Sequence, residues 1–188
     1  MIMSGESQPG TISKAYPVST VALEIVMLAL LGAIAVVIRA KLRVPLQIPG
    51  HHGLEVMAIL LIGRKISGLP VATTISAVVA AVLIWMPFLG MRDPFLPVVY
   101  ILMGITVDLL FNSFKKLSAN FFFFSLLGGI AYMMIPLSRI LLQITGLYSY
   151  PSLMRGGFIY PVMSHFLFGA AGALLAASIV YAAKRIKK

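Results

Sequence analysis

The chain has no cysteine. Disulfide scaffolds, cysteine-ligated zinc or iron–sulfur sites and thiol redox chemistry are thereby excluded. Charge is scarce too: 11% of the residues are charged, against about a quarter in soluble domains. Only five of the 188 residues are acidic. What fills the space is apolar, at 60% hydrophobic residues and a mean hydropathy of +1.01. That is the reverse of a disordered composition. A soluble fold of this size could not bury so much apolar surface, so the solvent must be largely lipid. The net charge of +10 would suggest nucleic acid in a soluble protein. In a membrane protein such cations set topology, and no nucleic-acid partner is expected.

Several chemical motifs are missing as well. There is no G-x-x-x-x-G-K-[ST], so the chain has no ATP-binding loop of its own. H-E-x-x-H, G-x-S-x-G and G-x-G-x-x-G do not occur. Ser164 stands beside His165, but adjacent helical residues point about 100° apart and make no catalytic pair. No enzyme activity, cofactor or metal is expected.

What is present is a series of apolar runs, each long enough for helix. A spanning helix needs about 20 mainly apolar residues. Thr20–Ile38 is the first. About Leu69–Phe88 is the third, Phe95–Phe114 the fourth, Leu117–Gln143 through Pro136 the fifth, and a stretch within Gly156–Ala183 the sixth. The second is short, from near His52 to Arg64, because Pro45, Pro49 and Gly50 disrupt its approach. The expected fold is all-α: one polytopic membrane domain of about six transmembrane helices over residues 18–183. Residues 1–17 are read as a flexible cytoplasmic tail without signal-peptide character. Residues 184–188 are read as a basic cytoplasmic tail. No internal repeat is visible.

Six spans place both termini on one side. That side would hold Lys14, Arg64, Lys65, Lys115, Lys116, Lys184, Arg185, Lys187 and Lys188. The other would hold Arg39, Lys41, Arg43, Arg92 and Arg155, with Arg139 inside helix five. The excess predicts cytoplasmic termini. The outer side then carries two long connections, Arg39–His52 and Thr145–Phe158, suited to act as lids.

An ionisable residue at membrane depth is by default a functional hypothesis. The topology puts Glu55, Trp85, Tyr100, Arg139, Gln143, Tyr160 and His165 in one outer layer, with His51 and His52 on the loop above. These nine are the candidate substrate-binding residues. Each has a plainer alternative. Trp85, Tyr100 and Tyr160 suit an interfacial aromatic belt. Arg139 suits snorkelling to headgroups or a structural ion pair with Glu55. His165 suits an interhelical hydrogen bond. Asp108 and Asn112, four apart on one helix face, are read as hydrogen-bonding or capping near the cytoplasmic end in preference to contacting substrate. His51 and His52, with Glu55 and His165, would be a weak metal set, since imidazole suits Ni, Co, Cu or Zn. Contact with an organic substrate is the preferred role.

Small residues recur at four-residue spacing in Ala29-x-x-x-Ala33 and in Gly169-x-x-x-Ala173-x-x-x-Ala177. Such spacing lets helices approach closely in lipid, within the chain or against another subunit.

The small-residue segment ALLGAIAVV (Ala29–Val37), the Pro-containing VPLQIPG (Val44–Gly50), and LEVMAILLIGRKISGLPVATTISAVVAAVL (Leu54–Leu83) together form a pattern. With six helices and a length near 190 residues, the chain resembles the substrate-binding S components of energy-coupling factor (ECF) transporters. The resemblance implies a subunit in the cytoplasmic membrane of a prokaryote that captures a vitamin or related micronutrient from outside. It implies partners: a transmembrane coupling subunit and two ATPases. It gives Ala29 and Ala33 the contact with the coupling subunit. It also implies that the subunit topples in the membrane to release its substrate inside. Nickel and cobalt members begin Met-His, whereas this chain begins Met1-Ile2-Met3, which favours an organic substrate. The alternatives are a stand-alone secondary transporter, a Ni/Co uptake subunit and, less favoured, an intramembrane enzyme.

Overall fold

In lipid, every backbone N–H and C=O must be satisfied within the chain, and apolar runs answer by becoming helices. The structure, a computed structural model, describes residues 18–42, 48–151 and 157–186. The tail over residues 1–17, Arg43, Pro45, Arg155 and the last two lysines lie outside the described residues.

Seven α-helices and no strand occur among the described residues: α1 Val18–Lys41, α2 Gly53–Ile66, α3 Ala72–Trp85, α4 Leu96–Ser113, α5 Phe121–Tyr132, α6 Met134–Ile144 and α7 Ile159–Ile186. Short 3₁₀ turns at Pro87–Leu89 and Lys115–Leu117 join α3 to α4 and α4 to α5. Four segments are long and apolar enough to cross a membrane: Thr20–Lys41, Leu96–Ser113, Phe121–Ile144 and Ile159–Ile186.

Two details differ from the sequence expectation. The third helix is shorter than the expected Leu69–Phe88, at 14 residues. Met86 is extended, with φ −74° and ψ 130°, because the following Pro87 disfavours helical backbone there. At the other end Ser67 is extended as well and Gly68–Leu69 lie outside any helix. At ~1.5 Å per residue, α2 and α3 each run roughly 20 Å, short of the ~30 Å hydrocarbon thickness. The fifth helix is interrupted at Met133, between α5 and α6. Pro136 has no N–H to give the Tyr132 carbonyl, which loosens the ladder one turn earlier.

The helices form a closed ring. α4 packs on α3, α3 on α1, α1 on α2, α2 on α7, α7 on α5, and α5 returns to α4. Small residues permit the tightest crossings. A Cβ on Gly128 would stand 2.5 Å from Ala173 Cβ and 2.7 Å from the Gly169 carbonyl oxygen. Gly172 lies equally close to the Gly53 and Leu54 carbonyls. The small face of α7 is therefore spent inside the chain. The core is Leu28, Met57, Leu60, Leu61, Tyr100, Met103, Phe124 and Tyr132, all buried. Outward, Leu30, Leu109, Leu141 and Leu167 are each 59–63% exposed, while Arg64 and Asp108 are buried. Leucines outside and charges inside are compatible with a membrane protein.

The ring has two ends. At one, Glu24 near the start of α1 accepts from Ser67 Oγ at 2.7 Å and Gly68 N at 3.1 Å, just past α2. Lys65 of α2 and Lys184 of α7 line one groove there. This is the terminus end. The opposite end carries the α1–α2, α3–α4 and α6–α7 connections.

Candidate functional site

The terminus end shows how the bundle treats charge. Asp108, on α4, accepts from Thr73 N at 3.1 Å, and from Thr74 N and Thr74 Oγ1 at 2.7 Å each. It caps the N-terminus of α3, where a carboxylate also meets the positive end of the helix dipole. Arg64 Nη1 donates to Asp108 Oδ1 at 3.2 Å and to the Leu69 carbonyl. The capping role expected for Asp108 is what the geometry contains, reaching across to α3. Asn112 Nδ2 likewise donates to the Pro70 carbonyl at 2.7 Å. Arg64 was expected only as a topological cation; it is buried and paired instead.

At the opposite end, α1, α4 and α6 converge on a pocket of about 350 Å³. Arg39, His52, Arg92, Asp93 and Arg139 line it, with Leu89, Met91 and Leu96 as apolar wall. Arg39 Nη1 donates to the Tyr100 hydroxyl at 2.5 Å, and the guanidinium lies 5.4 Å from the centre of that ring. Arg139 donates through Nε at 3.0 Å and Nη2 at 2.8 Å to Asp93 Oδ2. Asp93 Oδ1 accepts from the Tyr150 hydroxyl and from Phe95 N, both at 3.1 Å. Burial and then the Asp93 charge push the Tyr150 phenol up to about 12, so it stays protonated and donates. Gln143 Oε1 accepts from Tyr150 N at 3.1 Å. Tyr150, in the first part of the α6–α7 connection, is thus pinned to α6 and to the α3–α4 connection.

Beside the pocket, His52 Nδ1 and Glu55 Oε1 are 2.7 Å apart. Burial holds the His52 imidazole below its ordinary value, against the pull of that hydrogen bond. The His51 ring lies against His52, tilted 40° with ring centres 4.0 Å apart, and its Nδ1 donates to the Ile48 carbonyl at 2.9 Å. His51 Nε2 is buried with no hydrogen-bond partner among the described residues. Gly50, at φ +82°, passes directly over His165; a Cβ there would stand 2.7 Å from the imidazole. The left-handed backbone and the close approach both require glycine. His165 stacks on Tyr132, and its Nδ1 donates to the Pro161 carbonyl at 2.6 Å.

The expected outer layer divides accordingly. Arg139 and His52 line the pocket; Tyr100, Glu55 and Gln143 hold groups that shape it; His51 sits on the α1–α2 connection itself, and His165 packs beneath Gly50 of that connection. Trp85, 82% exposed, and Tyr160, 54% exposed, stand on the bundle surface and line no part of the pocket. The alternative Glu55–Arg139 ion pair is corrected: Glu55 pairs with His52, and Arg139 with Asp93. The alternative metal set is not assembled, since no group of three His or acidic residues among the described residues could hold a metal ion. Ala29 and Ala33 are half-buried on α1, beside Val26, Leu30 and Val37, which are 42–59% exposed.

Sequence reasoning missed Asp93, and it read Arg39 and Arg92 as topological cations only. A signal existed: with five acids in the chain, every acid outside the first residues deserves a partner. Glu24, Glu55, Asp93 and Asp108 each have one. Compared with known protein families, curated proteins and solved structures, the chain matches none.

Proposed function

We propose that the protein is a membrane-embedded substrate-binding subunit for uptake of a small organic micronutrient. The observation that carries this is the charged pocket at the end of the long connections. The excess of basic residues flanking the termini makes that end the outer one. The substrate enters there, from outside, into a pocket shaped by Arg39, His52, Asp93 and Arg139. The chain has no ATP-binding loop, so a transmembrane coupling subunit and two ATPases supply the energy. Ala29 and Ala33 on α1 are the contact with the coupling subunit, because their small side chains admit a neighbouring helix. The membrane is the cytoplasmic membrane of a prokaryote.

The resemblance to ECF S components and the pocket support this reading from different directions. The test is reconstitution in liposomes, with the small molecule that co-purifies identified by mass spectrometry. Accumulation of that molecule is expected only when the coupling subunit, the ATPases and ATP are present. Uptake by the chain alone would overturn the reading in favour of a secondary transporter.

A further inference from the structure

The pocket lining is unbalanced. Three guanidinium groups, Arg39, Arg92 and Arg139, face one carboxylate, Asp93. That carboxylate is already committed: both its oxygens accept, from Arg139, Tyr150 and Phe95. Neither Arg39 nor Arg92 forms an ion pair among the described residues. Glu55, which contacts the lining through His52, is taken by that histidine. Arg39 has a hydroxyl partner and Arg92 is exposed, so an anion lying between them would gain charge-assisted hydrogen bonds without displacing an existing ion pair.

We propose that this pocket binds a small organic anion, with its carboxylate or phosphate oxyanion held by Arg39 and Arg92. The inference rests on the pocket being the substrate site of the uptake reading and names the substrate class. Guanidinium forks match the planar oxygens of a carboxylate and the face of a phosphate. Asp93 locks Arg139, so the ligand meets Arg39 and Arg92 first. Tyr100 holds Arg39 in place by accepting its Nη1 hydrogen bond. Leu89, Met91 and Leu96 supply the apolar wall for the organic part. The volume of about 350 Å³ is near the lower end of the ~300–1,000 Å³ of ligand pockets, which sets the size at a single small molecule.

The test uses the full chain in phosphatidylcholine nanodiscs, titrated calorimetrically with benzoate, phenyl phosphate, benzamide, benzylamine and inorganic phosphate. Saturable binding of benzoate or phenyl phosphate is expected, with benzamide and benzylamine at least about tenfold weaker. Arg39→Gln and Arg92→Gln are each expected to weaken the anion at least about tenfold. Arg185→Gln, at the terminus end, leaves it unchanged. Arg92 is exposed, so its variant folds even if loss of the Arg39–Tyr100 contact unfolds the other. Equal or tighter binding of benzamide or benzylamine, or no binding of any anion, overturns the proposal. So does loss of benzoate binding when phosphatidylglycerol is added to the discs, which would make a lipid headgroup the occupant. Failure here leaves the uptake reading standing if ATP-driven accumulation of a neutral or cationic molecule is seen. Uptake without ATPases overturns that reading and leaves the anion to the titration alone.

Discussion

Arg139 on α6 and Asp93 on the connection into α4 meet through one carboxylate oxygen, which accepts both Nε at 3.0 Å and Nη2 at 2.8 Å. The two residues are 46 positions apart. The bond closes one side of the pocket, and the same carboxylate holds Tyr150 at the start of the α6–α7 connection. Their side chains are 26% and 14% exposed, so water weakens the pair only in part.

Breaking this pair is expected to cost stability and ligand together. Asp93→Asn and Arg139→Gln should each destabilise by about 1–3 kcal/mol. A double-mutant cycle on thermal unfolding in detergent should give a coupling of roughly 0.5–3 kcal/mol. A coupling of zero would mean that the two side chains act separately.

The Arg64–Asp108 pair at the terminus end is more buried, at 4% and 5% exposed. Asp108→Ala is expected to cost about 3–5 kcal/mol, because it strands a buried guanidinium and uncaps α3. Asp108→Asn keeps a capping oxygen and should cost less. Denaturant unfolding of the two variants, compared side by side, measures the difference.

Gly128→Ala should destabilise by about 1–3 kcal/mol, since the new methyl meets the backbone of α7 and neither helix can yield cheaply. Gly68→Ala is the control: its nearest neighbour would be Glu24 Oε1 at 4.0 Å. Melting temperatures of the pair should separate clearly.

His52 carries a pH dependence. Its folded value lies below its ordinary 6.5 through burial, so the neutral form is the one the fold prefers. As pH falls below about 6.5 the unfolded chain takes up the proton first, and stability declines until the folded imidazole titrates as well. Above that window the contribution is fully present. Thermal melts from pH 8 down to about 5 should show this slope, and His52→Asn should make it shallower.

Ala33→Leu tests the proposed coupling face. A bulky side chain there is expected to lower ATP-driven uptake several-fold while ligand affinity, measured by calorimetry, stays at the wild-type value. Loss of affinity instead would place Ala33 in the binding fold and remove it from the partner contact.

Hydropathy located the helices well, because lipid demands long apolar runs and the loops are where charge and proline collect. The short second helix was legible from Pro49 and Gly50. The early end of α3 was not, although Pro87 marks it. The capping role of Asp108 was legible in kind, since a lone acid near a helix end has little else to do. Its partner Arg64 was not. The candidate site was legible as a depth: Arg139, Tyr100, Glu55, Gln143 and His52 do gather near one end. Trp85 and Tyr160 share that depth but point outward, because position along a helix axis says nothing about direction around it.

Composition and hydropathy alone settle that this chain is helical, that lipid is the solvent its surface suits, and that its few acids are expensive wherever they sit. Which base each acid meets was decided only by the packing of the ring. Arg64 finds Asp108 44 positions away and Arg39 finds Tyr100 61 positions away. Both pairs end on α4, and α4 and α1 reach their places by packing on α3, where Gly104 lies against Ala77 and Thr73 and Gly32 against Ser76. Apolar character repeats along each segment and is readable locally. A charge pair depends on two distant helices arriving at one depth and one angle, and no local pattern encodes that.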